Sequence, residues 1–359
     1  MTRSTLPMPP FFDPKNAESW TYGPNQGELL TLAPTWAKRH SIKPSASARR
    51  RIHVLAIDDQ KDFSRPEGSL FVAGRSGRGA IDDDVRFAQF VYRNLGLITD
   101  MTFTLDTHFP FQIFFPTFWV DEAGNQLAAH SLIVLSDDEK CLVNKGLDGS
   151  VLHESVMPNP AITHLATGSD NYPWLVNQCL YYVRELARVG KYTLYLWPLH
   201  CLMGSSGYDL TGVIHEASLF HALVRQTQAR REVKGGNPLT ENYSIFRPEV
   251  LGRWDGRPLA QKNTRLVQAL LEADAVVLAG QAASHCVKSS IEDFLTEITG
   301  QDPSLVSKVY ILEDCTSSVV VPGADFTPQA EAALESFRQA GMHVVKSTDP
   351  IESWPDIRL

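Results

Sequence analysis

The sequence has no Cys-x-x-Cys pair, no long apolar run, no block of basic residues and no internal repeat. Each absence removes a class of protein. The five cysteines, Cys141, Cys179, Cys201, Cys286 and Cys315, are scattered and odd in number, so neither a disulfide framework nor a cysteine zinc site is indicated. No apolar stretch approaches the roughly 18 residues of a membrane span. The formal net charge of -8, with no basic cluster, argues against a nucleic-acid footprint. Residues 1–12 lack the charged-then-apolar build of a secretory signal. The expectation is a cytoplasmic protein with no membrane and no nucleic-acid partner. What is present is ordinary globular composition, 43% hydrophobic and 21% charged, which is enough for a large core.

Residues 1–50 carry prolines, aromatics and serine-rich patches without a sustained period, and are read as an irregular arm. From 51 to 359 the pattern alternates strands and helices. Strands are predicted at 52–57, 101–105, 192–196, 275–279, 308–312 and 343–345. Helices are predicted at 83–95, 173–189, 213–230, 264–272, 286–298 and 328–340. The last has Thr327 as N-cap, Pro328 in its first turn and Gly341 past its end. Strands separated by helices imply right-handed crossovers, hence a three-layer α/β/α domain with a mostly parallel central sheet. The stretch around 121–190 holds the least periodic part of the body and reads as an insertion. In such sheets ligands bind at the carboxyl ends of the strands.

Cys286 is the best nucleophile candidate. It lies in Gly280-Gln281-Ala282-Ala283-Ser284-His285-Cys286-Val287, between an apolar strand and a helix, with Ser284 as the expected N-cap. A thiol in the first turn of a helix meets the positive end of the dipole, which favours thiolate. The unpaired N–H groups there suit an oxyanion. The competing reading is an inert buried cysteine.

Other polar clusters also follow predicted strands. Asp58, in Ile57-Asp58-Asp59-Gln60-Lys61-Asp62-Phe63, is a candidate general base, and with Asp62 also a candidate loop cap. Asp106-Thr107-His108 aims two metal-ligating side chains the same way, because the side-chain period of a strand is two. His200, in Trp197-Pro198-Leu199-His200-Cys201, is either a third ligand or a hydrogen-bonded loop histidine. Trp197 suits an aromatic wall or rim packing, and Cys201 ranks below Cys286 because its neighbours do not mark a helix start. Lys234, before Gly235-Gly236, is either a solvated surface group or a cation fixed near Asp58.

Taken together, these segments resemble the cysteine hydrolases of the isochorismatase-like superfamily, nicotinamidases in particular. Asp58 to Phe63 is similar to that family's D-x-Q-x-D-F, Asp106-Thr107-His108 to its D-x-H, and Trp197 to Gly204 to its W-P-x-H-C-x-x-G. Lys234-Gly235, Asn237-Pro238 and Tyr243-Ser244-Ile245-Phe246 resemble its K-G-x-N-P…Y-S-x-F, and the Cys286 segment its nucleophile turn.

The resemblance implies a triad of Asp58, Lys234 and Cys286. It implies an oxyanion hole from the N–H groups of Ala282 and Cys286, with a cis peptide at Gln281–Ala282. It also implies metal ligands Asp106, His108 and His200, with zinc as the expected divalent ion and no organic cofactor, and ring walls Phe63 and Trp197. The implied reaction is hydrolysis of nicotinamide to nicotinate and ammonia through a thioester. The alternatives are hydrolysis of another small amide, ureido or carbamoyl compound, and a non-catalytic scaffold of the same fold. The expected partners are a small-molecule amide and further copies in a homo-oligomer. Three features depart from the family pattern. Residues 109–115 supply no further His or Glu ligand, 92 residues separate His108 from His200, and Ser284 stands where many nicotinamidases carry an acid.

Overall fold

The computed structural model of the chain describes residues 5–189 and 192–358. In chain order its strands are β1 (Ile52–Ile57), β2 (Ile98–Asp106), β3 (Trp119–Asp121), β4 (Ser131–Leu135), β5 (Leu142–Lys145), β6 (Val151–Pro158), β7 (Leu194–Leu196), β8 (Arg230–Lys234), β9 (Ala275–Gly280), β10 (Val309–Leu312), β11 (Val320–Val321), β12 (Ala324–Asp325) and β13 (His343–Val345). The helices are α1 (Gln26–Arg39), α2 (Lys61–Ser64), α3 (Gly79–Arg93), α4 (Thr163–Thr167), α5 (Tyr172–Val189), α6 (Gly212–Arg225), α7 (Thr264–Leu271), α8 (Cys286–Gln301) and α9 (Thr327–Gln339).

Six strands form the central sheet in the order β13-β10-β9-β1-β2-β8, and every pairing is parallel. Its strands alternate their side chains between two cores. Leu55 and Ile57 of β1, with Val276 and Leu278 of β9, face one cluster that includes Leu266, Ile291, Phe294 and Phe337 of α7, α8 and α9. Val54 and Ala56, with Val277 and Ala279, face the other, built on Phe87 and Phe90 of α3 and Val213 and Phe220 of α6. Fully buried strands with apolar residues on both faces are what a parallel sheet covered by helices requires. The α/β/α class expected from the alternating pattern is the one observed.

The structure corrects several expectations. Residues 192–196 do not join the parallel sheet. Their strand, β7, pairs antiparallel with β4 and closes a second, five-stranded sheet in the order β3-β6-β5-β4-β7. The sixth parallel strand is instead β8, which no periodicity announced. Arg-Arg-Glu-Val-Lys is polar because β8 is an edge strand, and edge strands carry charge that discourages pairing with other chains. The arm is not irregular throughout. Asn25 caps α1 by accepting from the Glu28 N–H, and Leu29, Ala33 and Trp36 bury one helical stripe of α1, which packs on α6. Helix α6 stops at Arg225, because Gln226 takes a left-handed conformation. Thr327 is the first residue of α9 and makes no capping hydrogen bond.

Candidate active site

Four adjacent strands end together. β9, β1, β2 and β8 are neighbours, and their carboxyl ends carry Gln281, Asp58, Asp106 and Lys234. Register does much of the positioning. Asp106 and Lys234 are paired residues of β2 and β8, so their side chains emerge side by side. Ile57 pairs with Gly280, and the Gln281 N–H donates to the Ile57 carbonyl at 2.7 Å, which draws the Cys286 turn against Asp58. Gly280 is obligatory here. It sits at φ +116°, and a Cβ would lie 2.0 Å from the Ile57 oxygen.

The three residues expected as a triad are in contact. Lys234 Nζ is 2.9 Å from Asp58 Oδ2 and 3.6 Å from Cys286 Sγ. It is also 2.9 Å from Asp106 Oδ1, so one ammonium serves two carboxylates, and it donates to the Asn242 carbonyl at 3.0 Å. All four side chains are buried. For Lys234, burial works against the charge, but Asp106 and then Asp58 outweigh it and hold the ammonium well above the usual lysine range. Asp106 is held low. Burial opposes its charge, and His108 followed by Lys234 overcomes it. Asp58 moves upward, first through burial and also through the neighbouring Asp106 charge, against the pull of Lys234 and of the Thr104 hydroxyl. Thr104 Oγ1 donates to Asp58 Oδ1 and accepts the Asp58 N–H.

Cys286 opens α8, as expected, but its charge state differs from the dipole argument. Burial pushes the thiol well above its usual range, with Lys234 as the opposing influence. The resting group is a thiol beside a carboxylate, because desolvation outweighs one helix end. Ser284 is not the N-cap. That position belongs to His285, and the Ser284 hydroxyl instead faces His285 Nδ1 at 2.9 Å and accepts from the Val319 N–H. The Gln281–Ala282 peptide is cis. The N–H groups of Ala282 and Cys286 donate to no acceptor among the described residues.

Asp106, His108 and His200 also converge. Their ligand atoms lie within 4.8 Å of one another, with Asp106 Oδ2 at 3.0 Å from His108 Nε2 and 3.8 Å from His200 Nε2. His200 Nδ1 meets the Pro198 carbonyl at 2.7 Å, and His108 Nδ1 meets that of Gly235 at 3.4 Å. A carbonyl only accepts, so His200 Nδ1 carries the hydrogen and its Nε2 offers a lone pair to the shared point, whereas His108 Nε2 lies within hydrogen-bond reach of Asp106 Oδ2 and would turn ligand only on giving up a hydrogen there. Burial pushes His200 down to about 4, which keeps it neutral. This donor set fits a divalent cation of the zinc type. Gly235, at φ +87°, makes room for it, since a Cβ there would lie 2.7 Å from His108 Cε1. Gln60 fixes Asp106 from behind, accepting its N–H at 2.6 Å and donating to its carbonyl at 2.9 Å. Gln112 is no further ligand, for it donates to the Gly235 and Asn237 carbonyls.

Asp106, His108, His200, Ala282 and Cys286 line one small cavity, and Asp58 and Lys234 lie behind that lining. Phe63 and Trp197, the residues expected as ring walls, both line it. Phe63 packs on His200 at 5.4 Å, and Trp197 lies between Tyr195 and His285 while its Nε1 donates to Tyr243 Oη at 2.9 Å. Trp197 and His200 follow β7, so the antiparallel sheet supplies one wall of a site built at the edge of the parallel one. Cys201 and Asp62 lie outside the cavity lining. Asp62 caps the loop, accepting from the Cys201 N–H at 2.7 Å and the Ser69 N–H at 3.1 Å.

Sequence reasoning missed Thr104, Glu241 and His285. Thr104 was findable, because it sits two residues before Asp106 on β2 and so shares its face. Glu241 lies in irregular chain after β8, and burial, then the charge of Glu249, pushes its carboxyl well up. His285 is neutral in the wall, pushed down to about 4 by burial.

No family model matches the chain, and no curated protein matches it in sequence. Solved structures do resemble it. A nicotinamidase/pyrazinamidase of Acinetobacter baumanii is 18% identical, with 84% of this chain and 99% of that one covered and a TM-score of 0.47. A yeast nicotinamidase bound to the inhibitor nicotinaldehyde is 16% identical over 82% of this chain and 99% of that one, TM-score 0.48. A pyrazinamidase of Pyrococcus horikoshii in complex with zinc is 16% identical over 82% and 98%, TM-score 0.42.

Proposed function

We propose that the protein is a cysteine-nucleophile amidohydrolase whose substrate is a small amide, with nicotinamide as the named substrate and nicotinate and ammonia as products. The observation that carries this reading is the buried contact of Asp58, Lys234 and Cys286 beside a ring-walled cavity.

Asp58 takes the Cys286 proton as Sγ attacks the amide carbonyl carbon, so a thiol kept neutral at rest becomes a nucleophile only as the bond forms. Lys234 balances the Asp106 carboxylate and the charge that Sγ carries only while its proton leaves, before that charge passes to the carbonyl oxygen. The N–H groups of Ala282 and Cys286 receive the oxyanion. Collapse breaks the C–N bond, and Asp58 delivers its proton to the departing nitrogen, leaving a thioester and ammonia. Asp58 then takes a proton from water as the water oxygen attacks the thioester, and the acid leaves as Sγ recovers its proton. The sum is amide plus water to acid plus ammonia. Asp106, His108 and His200 would hold a zinc ion, which when bound supplies a Lewis-acidic anchor for the nitrogen of a heterocyclic amide. Phe63 and Trp197 orient the ring.

A second reading keeps the triad and changes the substrate to a linear ureido or carbamoyl compound. The set of three candidate ligands among the described residues, with Gln112 turned away to the backbone, favours it. The scaffold reading predicts loss of at least one of Asp58, Lys234 and Cys286, and the sequence carries all three.

Ammonia release from nicotinamide, pyrazinamide, benzamide and linear ureido and carbamoyl compounds, for wild type and Cys286→Ala, tests the proposal. Cysteine-dependent turnover of the two nitrogen heterocycles with poor benzamide hydrolysis is expected. Turnover confined to linear compounds would discard nicotinamide, and turnover retained by Cys286→Ala would discard the mechanism.

A further inference from the structure

We propose that a groove at the amino-terminal edge of the central sheet binds an organic polyanion, a molecule joining an apolar body to two or more phosphate or carboxylate groups. The groove lies at the opposite end of the strands from the cavity above. Ile52, the first residue of β1, and Gly96 and Leu97, just before β2, are among its lining residues. Its volume is about 980 Å³, at the upper end of small-molecule pockets and far more than a lone ion needs.

Charge sets the ligand class. Lys43, Arg49, Arg50, Arg93 and Arg225 line the groove against one carboxylate, Glu352. With Asp274 counted against Arg50 and Arg225 left to its own partners, Lys43, Arg49, Arg50 and Arg93 exceed the two carboxylates Glu352 and Asp274 by two positive charges, in a chain of net charge -8. Repulsion from the rest of the surface therefore steers an anion to this groove. Lys43 and Arg49 are exposed and have no carboxylate partner among the described residues. Arg50 is bridged to Asp274 at 2.8 Å, but that pair is 49% and 33% exposed, so it contributes little and yields readily to a ligand. Arg225 is buried. Its Nη1 donates to the Gly96 carbonyl at 3.1 Å and its Nε to Ser45 Oγ at 3.2 Å, which ties two walls of the groove together. His40 adds a buried Nε2 with no hydrogen-bond partner.

The second half of the ligand follows from the floor. Leu6, Ile42 and Leu97 are part-buried apolar residues among the cations, and Ile52 is buried, so the groove keeps some apolar surface that a bare inorganic anion would not cover. An apolar ring or chain carrying anionic groups satisfies both surfaces.

The test is isothermal titration of the full chain with adenosine triphosphate, inorganic tripolyphosphate and adenosine as probes, on wild type and on Lys43→Ala/Arg49→Ala. These side chains are exposed, so the double variant keeps the wild-type melting temperature. Saturable one-to-one binding of adenosine triphosphate is expected, with tripolyphosphate weaker, adenosine silent and affinity falling as salt rises. The double variant should bind about tenfold more weakly, since two exposed charge contacts together are worth roughly one such factor. Absence of saturation at about 1 mM ligand would overturn the proposal. So would equal affinity in the double variant, which would put the ligand elsewhere, or binding by adenosine alone.

Discussion

Replacing Lys234 with methionine removes the one cation that two buried carboxylates share, and the cost can be worked from the distances. At 2.9 Å from each of Asp58 Oδ2 and Asp106 Oδ1, and an effective dielectric constant of about 20, Coulomb attraction is about 6 kcal/mol per pair. Desolvation of three charges offsets much of that, so the intact arrangement contributes little net stability. Removing one partner is different, because the carboxylates stay buried and now face each other uncompensated. The expected loss is about 3–5 kcal/mol, a large share of a total stability of about 5–15 kcal/mol. Asp58→Asn should cost less, about 2 kcal/mol, since Lys234 keeps Asp106. The double variant Lys234→Met/Asp58→Asn should be more stable than Lys234→Met alone, because one of the stranded charges is gone. Urea unfolding followed by circular dichroism, with a chelator present so that bound metal does not mask the loss, reads all four proteins. A Lys234→Met loss below about 1 kcal/mol, or strictly additive costs, would refute the reasoning that Lys234 holds two buried negative charges.

Three further outcomes are expected. His221 is buried on α6 and pushed down to about 4 by burial, from an unfolded value of 6.5. Its folded pKa is depressed, so between those values the unfolded chain binds a proton that the folded chain refuses, and stability is lost as pH falls. His221→Gln should therefore lose less urea resistance than wild type between about pH 7.5 and about pH 5; equal losses would remove His221 from the account. Gly235→Ala should destabilise the fold by about 1–3 kcal/mol and weaken zinc uptake, because the methyl meets the His108 ring at a left-handed backbone position. Wild-type zinc affinity in equilibrium dialysis would contradict this. His200→Ala should lose zinc affinity by roughly 10–100-fold or more and raise KM for nicotinamide more than it lowers kcat; an unchanged KM would count against a ring-nitrogen anchor.

Much of the site was legible because its residues stand at strand ends. Asp58 and Asp106 directly follow or close apolar strands that periodicity identifies, Cys286 opens the helix after another, and the side-chain period of two already aimed Asp106 and His108 together. What was not legible follows from local chemistry losing to context. β8 escaped notice because a charged edge strand carries no apolar signature, although it delivers Lys234. β7 read as another parallel strand because three apolar residues look alike in either sheet, and only pairing with β4 decides. The helix dipole predicted a thiolate at Cys286, whereas burial, invisible in sequence, keeps it a thiol. Glu241 and His285 line the cavity from irregular chain and a turn, where spacing says nothing about facing.

The central claim is that Cys286 becomes acylated. Rapid acid quench of the enzyme during nicotinamide turnover, followed by intact mass and peptide mapping, tests it directly. The account predicts a nicotinoyl increment on the peptide bearing Cys286, absent from Cys286→Ala and accumulating in Asp58→Asn if that variant still acylates. Ammonia release without any adduct, or an adduct on Cys201, would contradict it.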